Sequence, residues 1–456
     1  VTTSPTPHQT EVTAVPRHRG SGPIILLCFL TITFDGYDLV VYGTTVPSIL
    51  RYQAWDVSPG MVGVIGSLTA LGMLLGALSS GALTARFGAR AMMVASIVGF
   101  STMMGIAAIA PTPEMFALCR LLSGIGLGAV MPTAISLTVE YSRRDRRQLN
   151  NALMFSGYSV GAILASTTGI LALPHIGFRW MYAFGVLPLL LIPVILRVLP
   201  DSRSYLTKTG RSAEAQLLTD QYGLEPFIPA DPSSTRSGLR GLFSRRFALP
   251  LGLFSAATFC GLLVIYGVNT WLPNIMNQAG YSIGMSLSFL AVLNAGAILG
   301  GITGSAVADR IGSKPIAILA FATATISTVL LSTGLPTWGL YLVVALLGLG
   351  TTGTQIIVTG WAAAFFPETY RTAAVGFVLG VGRLGAIVGP AAGGWITASA
   401  LGYEWNYYTF ATVALAGATT MALMPRIHRA STPVTTADDG QLSPAVAAPA
   451  GESTRG

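Results

Sequence analysis

Long apolar runs separated by short polar loops dominate this chain. A helix needs ~20 apolar residues to cross a bilayer. Runs of about that length recur roughly twelve times. They lie near 24–50, 60–84, 91–110, 115–139, 151–173 and 178–199, then near 247–273, 284–308, 315–334, 338–365, 372–399 and 405–425. The pattern predicts an all-α integral membrane protein of twelve transmembrane helices arranged as two six-helix halves. Five segments follow from it: a polar N-terminal tail (1–23), a first half (24–199), a hydrophilic connection rich in Ser, Arg and Pro (200–246), a second half (247–425) and a polar tail (426–456). The last is expected to be disordered, because it is poor in bulky apolar residues. Arg17 and Arg19 precede the first run as in a signal peptide, but the run is far too long and lacks an A-x-A site. It is expected to be a retained first helix.

Composition supports the membrane reading. Of 456 residues, 52% are hydrophobic and 10% charged, against about 25% charged in soluble domains. The net charge of +8 sits in short loops, so no nucleic-acid partner is expected; the bilayer is the partner. Loops after even-numbered spans carry Arg86, Arg90, Arg143, Arg144, Arg146, Arg147, Arg203, Lys208 and Arg211, then Arg310, Lys314 and Arg371, whereas the opposite loops hold chiefly Arg51 and Arg179. By the positive-inside rule both termini are cytoplasmic. Lysine occurs only at Lys208 and Lys314 while Ala and Gly abound, which suggests a GC-rich bacterial genome and hence a bacterial inner membrane. Cys28, Cys119 and Cys260 lie in apolar runs without disulfide or metal spacing. No cofactor or metal is expected.

The halves repeat. GALTARFGAR at 81–90 returns as SAVADRIGSK at 305–314, and LLSGIGLG at 121–128 as LLGLGTTG at 346–353. Parallel repeats with a substrate site at their interface are one transporter plan.

These loops resemble the major facilitator superfamily, whose loop between helices 2 and 3 reads G-x-L-x-D-R-x-G-R-K. Gly81, Leu83, Arg86, Gly88 and Arg90 fit, with Ala85 at the aspartate position; the second copy keeps Asp309, Arg310, Gly312 and Lys314. Arg120 with Gly124 and Gly128 fits the fourth-helix pattern. Within the superfamily the chain is similar to the aromatic acid:proton symporters, through DGYD at 35–38, NTWLPNIMNQAGY at 269–281, PETYRTAAVGF at 367–377 and GVGRLGAIVGP at 380–390. DGYDLVVYG looks most like the benzoate transporters of that group. The resemblance implies a major facilitator fold, an aromatic acid and a proton as partners, and a cytoplasmic gate built from Gly81, Ala85, Arg86, Gly88, Arg90, Asp309 and Arg310. The aspartate replaced by Ala85 helps hold that side closed in the family, so the outward-facing state is expected to be less stable here.

Four strong charges fall inside the predicted spans: Asp35, Asp38, Arg120 and Arg383. A carboxylate at the bilayer centre costs at least ~2.5–3.5 kcal/mol, so such groups pair or line a wet cavity. Asp35 and Asp38 share a helix face at i, i+3 spacing, and Tyr42 continues it. In the implied fold the first, fourth and eleventh helices face the central cavity, where the four charges meet. Arginine offers a planar fork to a carboxylate. Arg383 is the first choice for substrate, with Gly380, Gly382 and Gly385 clearing space; Arg120 is the second, or else a counter-ion to Asp35 or Asp38. The aspartates are the candidate proton carriers, or alternatively serve only to pair the arginines. Tyr42, Tyr158, Asn294, Gln355 and Trp361 are candidate walls and donors; Asn294 and Gln355 are equally helix glue, and Trp271 and Trp338 are interface anchors. Glu140, at the cytoplasmic end of the fourth predicted helix beside the Arg143–Arg147 cluster, is expected to belong to the cytoplasmic gate or to a loop ion pair.

The reading is a monomeric proton-coupled symporter importing benzoate or a hydroxybenzoate by alternating access. An efflux pump for organic anions or drugs is the alternative, and a membrane sensor for aromatic acids ranks below it. An enzyme is not expected: no nucleophile–base pair or nucleotide loop stands out.

Overall fold

The computed structural model describes residues 20–143, 146–225 and 243–425, without the side chains of Gln148, Arg245, Arg246, Asp309, Glu368, Thr369 and Thr372. The expected disordered tail (426–456), most of the N-terminal tail, Arg144 and part of the central connection lie outside the described residues.

The first half comprises α1 (Gly22–Leu50), α2 (Pro59–Phe87), α3 (Ala89–Ala108), α4 (Pro113–Glu140), α5 (Arg147–Ile176) and a broken sixth span. That span runs from α6 (Phe178–Ala183) through a 3₁₀ stretch (Phe184–Leu191) to α7 (Ile192–Val198). Pro188 stands inside the 3₁₀ stretch and has no N–H for an α-helical bond. The central connection is more ordered than a plain loop: α8 (Arg203–Lys208) and α9 (Ser212–Tyr222) form within it. The second half comprises α10 (Arg245–Gln278), α11 (Ile283–Ile311), α12 (Ser313–Leu330), α13 (Thr337–Phe365), α14 (Glu368–Ala398) and α15 (Trp405–Leu423). Among the described residues eleven helices are long and apolar enough to cross a membrane. The remaining one of the twelve spans, α15, opens on the polar Asn406, Tyr407 and Tyr408, and packs on α12 and α10.

Local chemistry sets the helix starts. Ser58, Thr112 and Ser282 accept hydrogen bonds from the backbone N–H of Met61, Met115 and Met285 at 3.2, 3.3 and 3.3 Å, the usual N-cap arrangement. Gly88 and Gly312 turn the chain between the second and third helices of each half at φ +87° and +96°, where a side chain would be strained.

These glycines stand 224 residues apart, and so do the packing positions. In α2 and α4, Gly72 and Gly124 approach each other so closely that an added Cβ would meet backbone; Gly296 and Gly348 let α11 and α13 approach in the same way. Gly161 lies against Thr33, and its counterpart Gly385 against Phe259.

The basic end of the bundle carries Arg86, Arg90, Arg147, Arg203, Arg310 and Lys314; the far end carries Arg51 and Arg179. The core divides along this axis. At the far end one apolar cluster joins both halves, from Val40, Val46 and Phe116 to Val268, Trp271, Phe289 and Phe410. Toward the basic end each half has its own cluster: Ile32, Phe100, Leu127 and Tyr141 in the first, and Phe254, Phe321, Val358 and Phe366 in the second. Contacts between halves follow the same division. Gly43 sits on the Asn269 backbone, Gly63 and Gly394 face each other, Arg51 donates to Asn277, and Ser67 donates to the Ile387 carbonyl at 2.5 Å. The halves are joined at the far end and carry separate cores at the basic end.

Trp271 departs from expectation. It is fully buried and donates to the Pro390 carbonyl at 2.8 Å, tying α10 to α14 instead of anchoring at an interface. Trp338 is 74% exposed at the start of α13, as an anchor would be. Exposed apolar side chains such as Leu78, Ile109, Leu190 and Ile302 cover the outside, a surface suited to lipid. The cysteines are unbridged.

Candidate functional site

The two aspartates of α1 have different surroundings. Asp38 is 1% exposed and forms an ion pair with Arg120 of α4, Nη1 to Oδ1, while Nη2 also donates to the Asp38 main-chain oxygen at 3.2 Å. The guanidinium carbon lies 5.6 Å from the Tyr42 ring centre and 5.9 Å from that of Tyr182, a cation–π sandwich. Those rings are themselves fixed: Tyr42 donates to the Val62 carbonyl at 2.5 Å, and the Tyr182 hydroxyl bonds Thr45 at 2.7 Å. Every member of this group belongs to the first half. Tyr42 is thus a wall for Arg120, and Arg120, fully buried, occupies the position of a counter-ion.

Asp35 is completely buried, and neither carboxylate oxygen has a hydrogen-bond partner among the described residues. Of the charges acting on it, Arg383 is the strongest, ahead of Asp38. Arg383 comes from α14 in the other half and is only partly buried. Its Nη1 donates to the Tyr266 hydroxyl at 3.1 Å and lies 4.0 Å from the Met73 sulfur. Tyr158 shares this electrostatic neighbourhood with Asp35, Tyr266 and Arg383; its backbone presses on Gly36, which fixes α5 beside the acid. Five helices (α1, α2, α5, α10 and α14) therefore meet where the joint core gives way to the two separate ones. A guanidinium fork at such a seam suits a carboxylate ligand, with tyrosine faces and hydroxyls beside it.

Tyr266 escaped the sequence reading. The signal was present: VVYG at 40–43 recurs as VIYG at 264–267, again 224 residues on. Each copy places its tyrosine near one of the two arginines inside the spans.

The glycines around Arg383 have another use than the one expected. A Cβ on Gly382 would strike Thr258, and one on Gly385 would strike the Phe259 backbone, so both serve the packing of α14 on α10; only Gly380 faces open space. Asn294 bonds Asn269 Oδ1 at 3.1 Å and the Leu290 carbonyl at 3.0 Å, linking α11 to α10. Gln355 donates to Thr359 at 3.4 Å and faces Gly261. Trp361 packs edge-on against Phe254 at 5.1 Å, within the second half's own core. No described contact joins these three to Arg383.

At the basic end Gly81, Ala85, Arg86 and Arg310 are exposed, and Arg86 lies over the Phe87 ring at 5.3 Å. A pocket of about 250 Å³ is lined there by Ser80, Gly81, Thr84, Ala85, Thr133 and Lys208, among others. An acid reaches this loop from elsewhere in the chain: Asp201 accepts from the backbone N–H of Arg90 at 3.3 Å, in the first turn of α3, where negative charge favours the helix dipole. The Arg90 side chain donates to the Leu196 carbonyl. Glu140 makes its described contacts with the central connection. It accepts from the Arg203 backbone N–H and lies 3.6 Å from its Nε, while Arg147 pairs with Glu225 at 3.5 Å. Arg203 is the first residue of α8, and its Nη1 also donates to Thr219 of α9 at 3.3 Å. The Asp309 side chain lies outside the described residues.

Comparisons with known proteins define the class. The family model for the Major Facilitator Superfamily matches residues 28–306 and 289–451. The chain belongs to that superfamily of multi-pass membrane transporters. It is 31% identical to the benzoate transport protein of Acinetobacter baylyi, covering 88% of this chain and 89% of that protein. It is also 31% identical to the gentisate transporter of Corynebacterium glutamicum (89% and 88% covered) and 30% identical to the gallate transporter of Pseudomonas putida (91% and 94%). Among solved structures, the partially occluded inward open xylose transporter XylE from E. coli superimposes with a TM-score of 0.71 at 15% identity, covering 90% of this chain and all of that one. That likeness concerns the fold.

Proposed function

We propose that this protein is a proton-coupled symporter that brings an aromatic carboxylic acid, benzoate or a hydroxybenzoate, across a bacterial inner membrane by alternating access. The observation that carries the reading is the seam between halves. An arginine on one half, Arg383, lies in the electrostatic neighbourhood of an acid on the other, Asp35, which is buried with no hydrogen-bond partner among the described residues, and Tyr266 bonds that arginine. Arg383 and the Tyr266 hydroxyl hold the substrate carboxylate, and the tyrosine rings flank its ring. The acids of α1 carry the proton. With the basic end cytoplasmic, the separate cores at that end make this the inward-facing state. The relatives' substrates, benzoate, gentisate and gallate, support the aromatic class.

Uptake of radiolabelled benzoate, with and without a protonophore, tests this against a panel of hydroxylated analogues and non-aromatic acids. The expected result is accumulation that the protonophore abolishes and that only aromatic acids compete. Accumulation indifferent to the protonophore would remove the proton, and extrusion of preloaded benzoate would favour efflux.

A further inference from the structure

We infer that the two acids of α1 divide the work: Asp35 alone carries the coupled proton, while Asp38 is a permanent counter-ion that positions Arg120. This rests on the proton-coupled reading above and assigns the proton within it.

Asp38 has no freedom to titrate usefully. Its partner donates to both its side chain and its main chain. Asp38, Arg120, Tyr42 and Tyr182 all come from the first half, so a movement between halves does not by itself part the pair. Around the guanidinium stand the faces of Tyr42 and Tyr182 and the Met104 sulfur at 3.5 Å. None replaces a carboxylate, so protonating Asp38 would strand a buried cation at a cost of several kcal/mol.

Asp35 has the opposite setting. The groups facing it are Asp38 on its own helix, Tyr158 on α5, Tyr266 on α10 and Arg383 on α14. Neither oxygen has a hydrogen-bond partner among the described residues. The one cation prominent in its field is on the other half, so the distance that compensates its charge changes whenever the halves move. Arg383 is then neutralised by one anion at a time. With substrate bound, its carboxylate occupies the guanidinium and Asp35 keeps its proton. With substrate gone, Asp35 gives that proton to water at the open end and its carboxylate faces Arg383. One proton accompanies each monovalent acid, and charge balances.

The test compares Asp35→Asn, Asp38→Asn and the wild type in proteoliposomes loaded for benzoate counterflow or for accumulation driven by a pH gradient, with the melting temperature of each purified protein. Asp35→Asn should retain exchange, now insensitive to pH, while its gradient-driven accumulation falls to equilibration. Asp35→Glu, which keeps a titratable carboxyl, should restore accumulation. Asp38→Asn should lower the melting temperature and impair both assays together. The inference is overturned if Asp38→Asn keeps exchange but loses accumulation, if Asp35→Asn still accumulates, or if Asp35→Glu fails to restore what Asp35→Asn loses. A wild type that accumulates without regard to the gradient would instead sink the symport reading itself.

Discussion

Arg120 and Arg383 each stand near an acid of the same helix, yet they are held in opposite ways. Arg120 is 1% exposed, bonded twice to Asp38 and enclosed by two tyrosine rings, all within one half. Arg383 is partly buried at the seam, bonded to one hydroxyl, and its field reaches an acid with no hydrogen-bond partner among the described residues. The first arrangement pairs its two charges without a ligand, although Asp38 Oδ2 and Arg120 Nε have no described partner. In the proposed function the second is completed by one. The 224-residue repeat sharpens the contrast: Gly72, Gly124 and Gly161 recur as Gly296, Gly348 and Gly385, but the positions matching Asp35, Asp38 and Arg120 hold Phe259, Leu262 and Val344. The frame is duplicated and the charges are not, as a site that must treat its two halves differently requires.

The largest expected effect comes from breaking the complete pair. Arg120→Ala or Asp38→Ala leaves an uncompensated buried charge and should cost about 3–5 kcal/mol, whereas the double change Arg120→Met with Asp38→Leu should recover most of it. Melting temperatures in detergent measure this, and a double variant no more stable than either single one would refute the charge-pair description. Arg383→Lys comes next. Losing the planar fork should weaken benzoate binding about tenfold, roughly 1.4 kcal/mol, with the melting temperature nearly unchanged; a fall in stability without a change in affinity would place Arg383 with Arg120. The smallest effects separate the glycines beside Arg383. Gly385→Val should destabilise by about 1–3 kcal/mol through overpacking against α10, while Gly380→Val should leave the melting temperature alone. Equal losses would mean that both positions are packed.

Much of this was legible beforehand because the bilayer writes its costs into sequence. Twelve spans, the asymmetry of arginines and the paired acids all follow from what hydrocarbon refuses to solvate. Arg383 could be singled out for the same reason. The glycines around it could not be read correctly, since clearing space for a ligand and clearing space for a neighbouring helix use the same residue. Trp271 misled similarly: a tryptophan near a helix end anchors at an interface unless a carbonyl such as that of Pro390 lies within reach of its N–H. Glu140 meets Arg203, the first residue of α8, a partner 63 residues away that helix spacing alone does not point to.

The sequence by itself determined that four charges fall inside the spans, that they balance, and that Asp35 and Asp38 share a helix face. Only the tertiary structure decided who meets whom. Three residues along a helix move a side chain ~4.5 Å along the axis and about 60° around it. That turn is enough to aim Asp38 at α4 in its own half and leave Asp35 at the seam, where the field of Arg383 on α14 reaches it. Helix spacing fixes the first fact locally; the packing of five helices, set by glycines far apart in the chain, fixes the second.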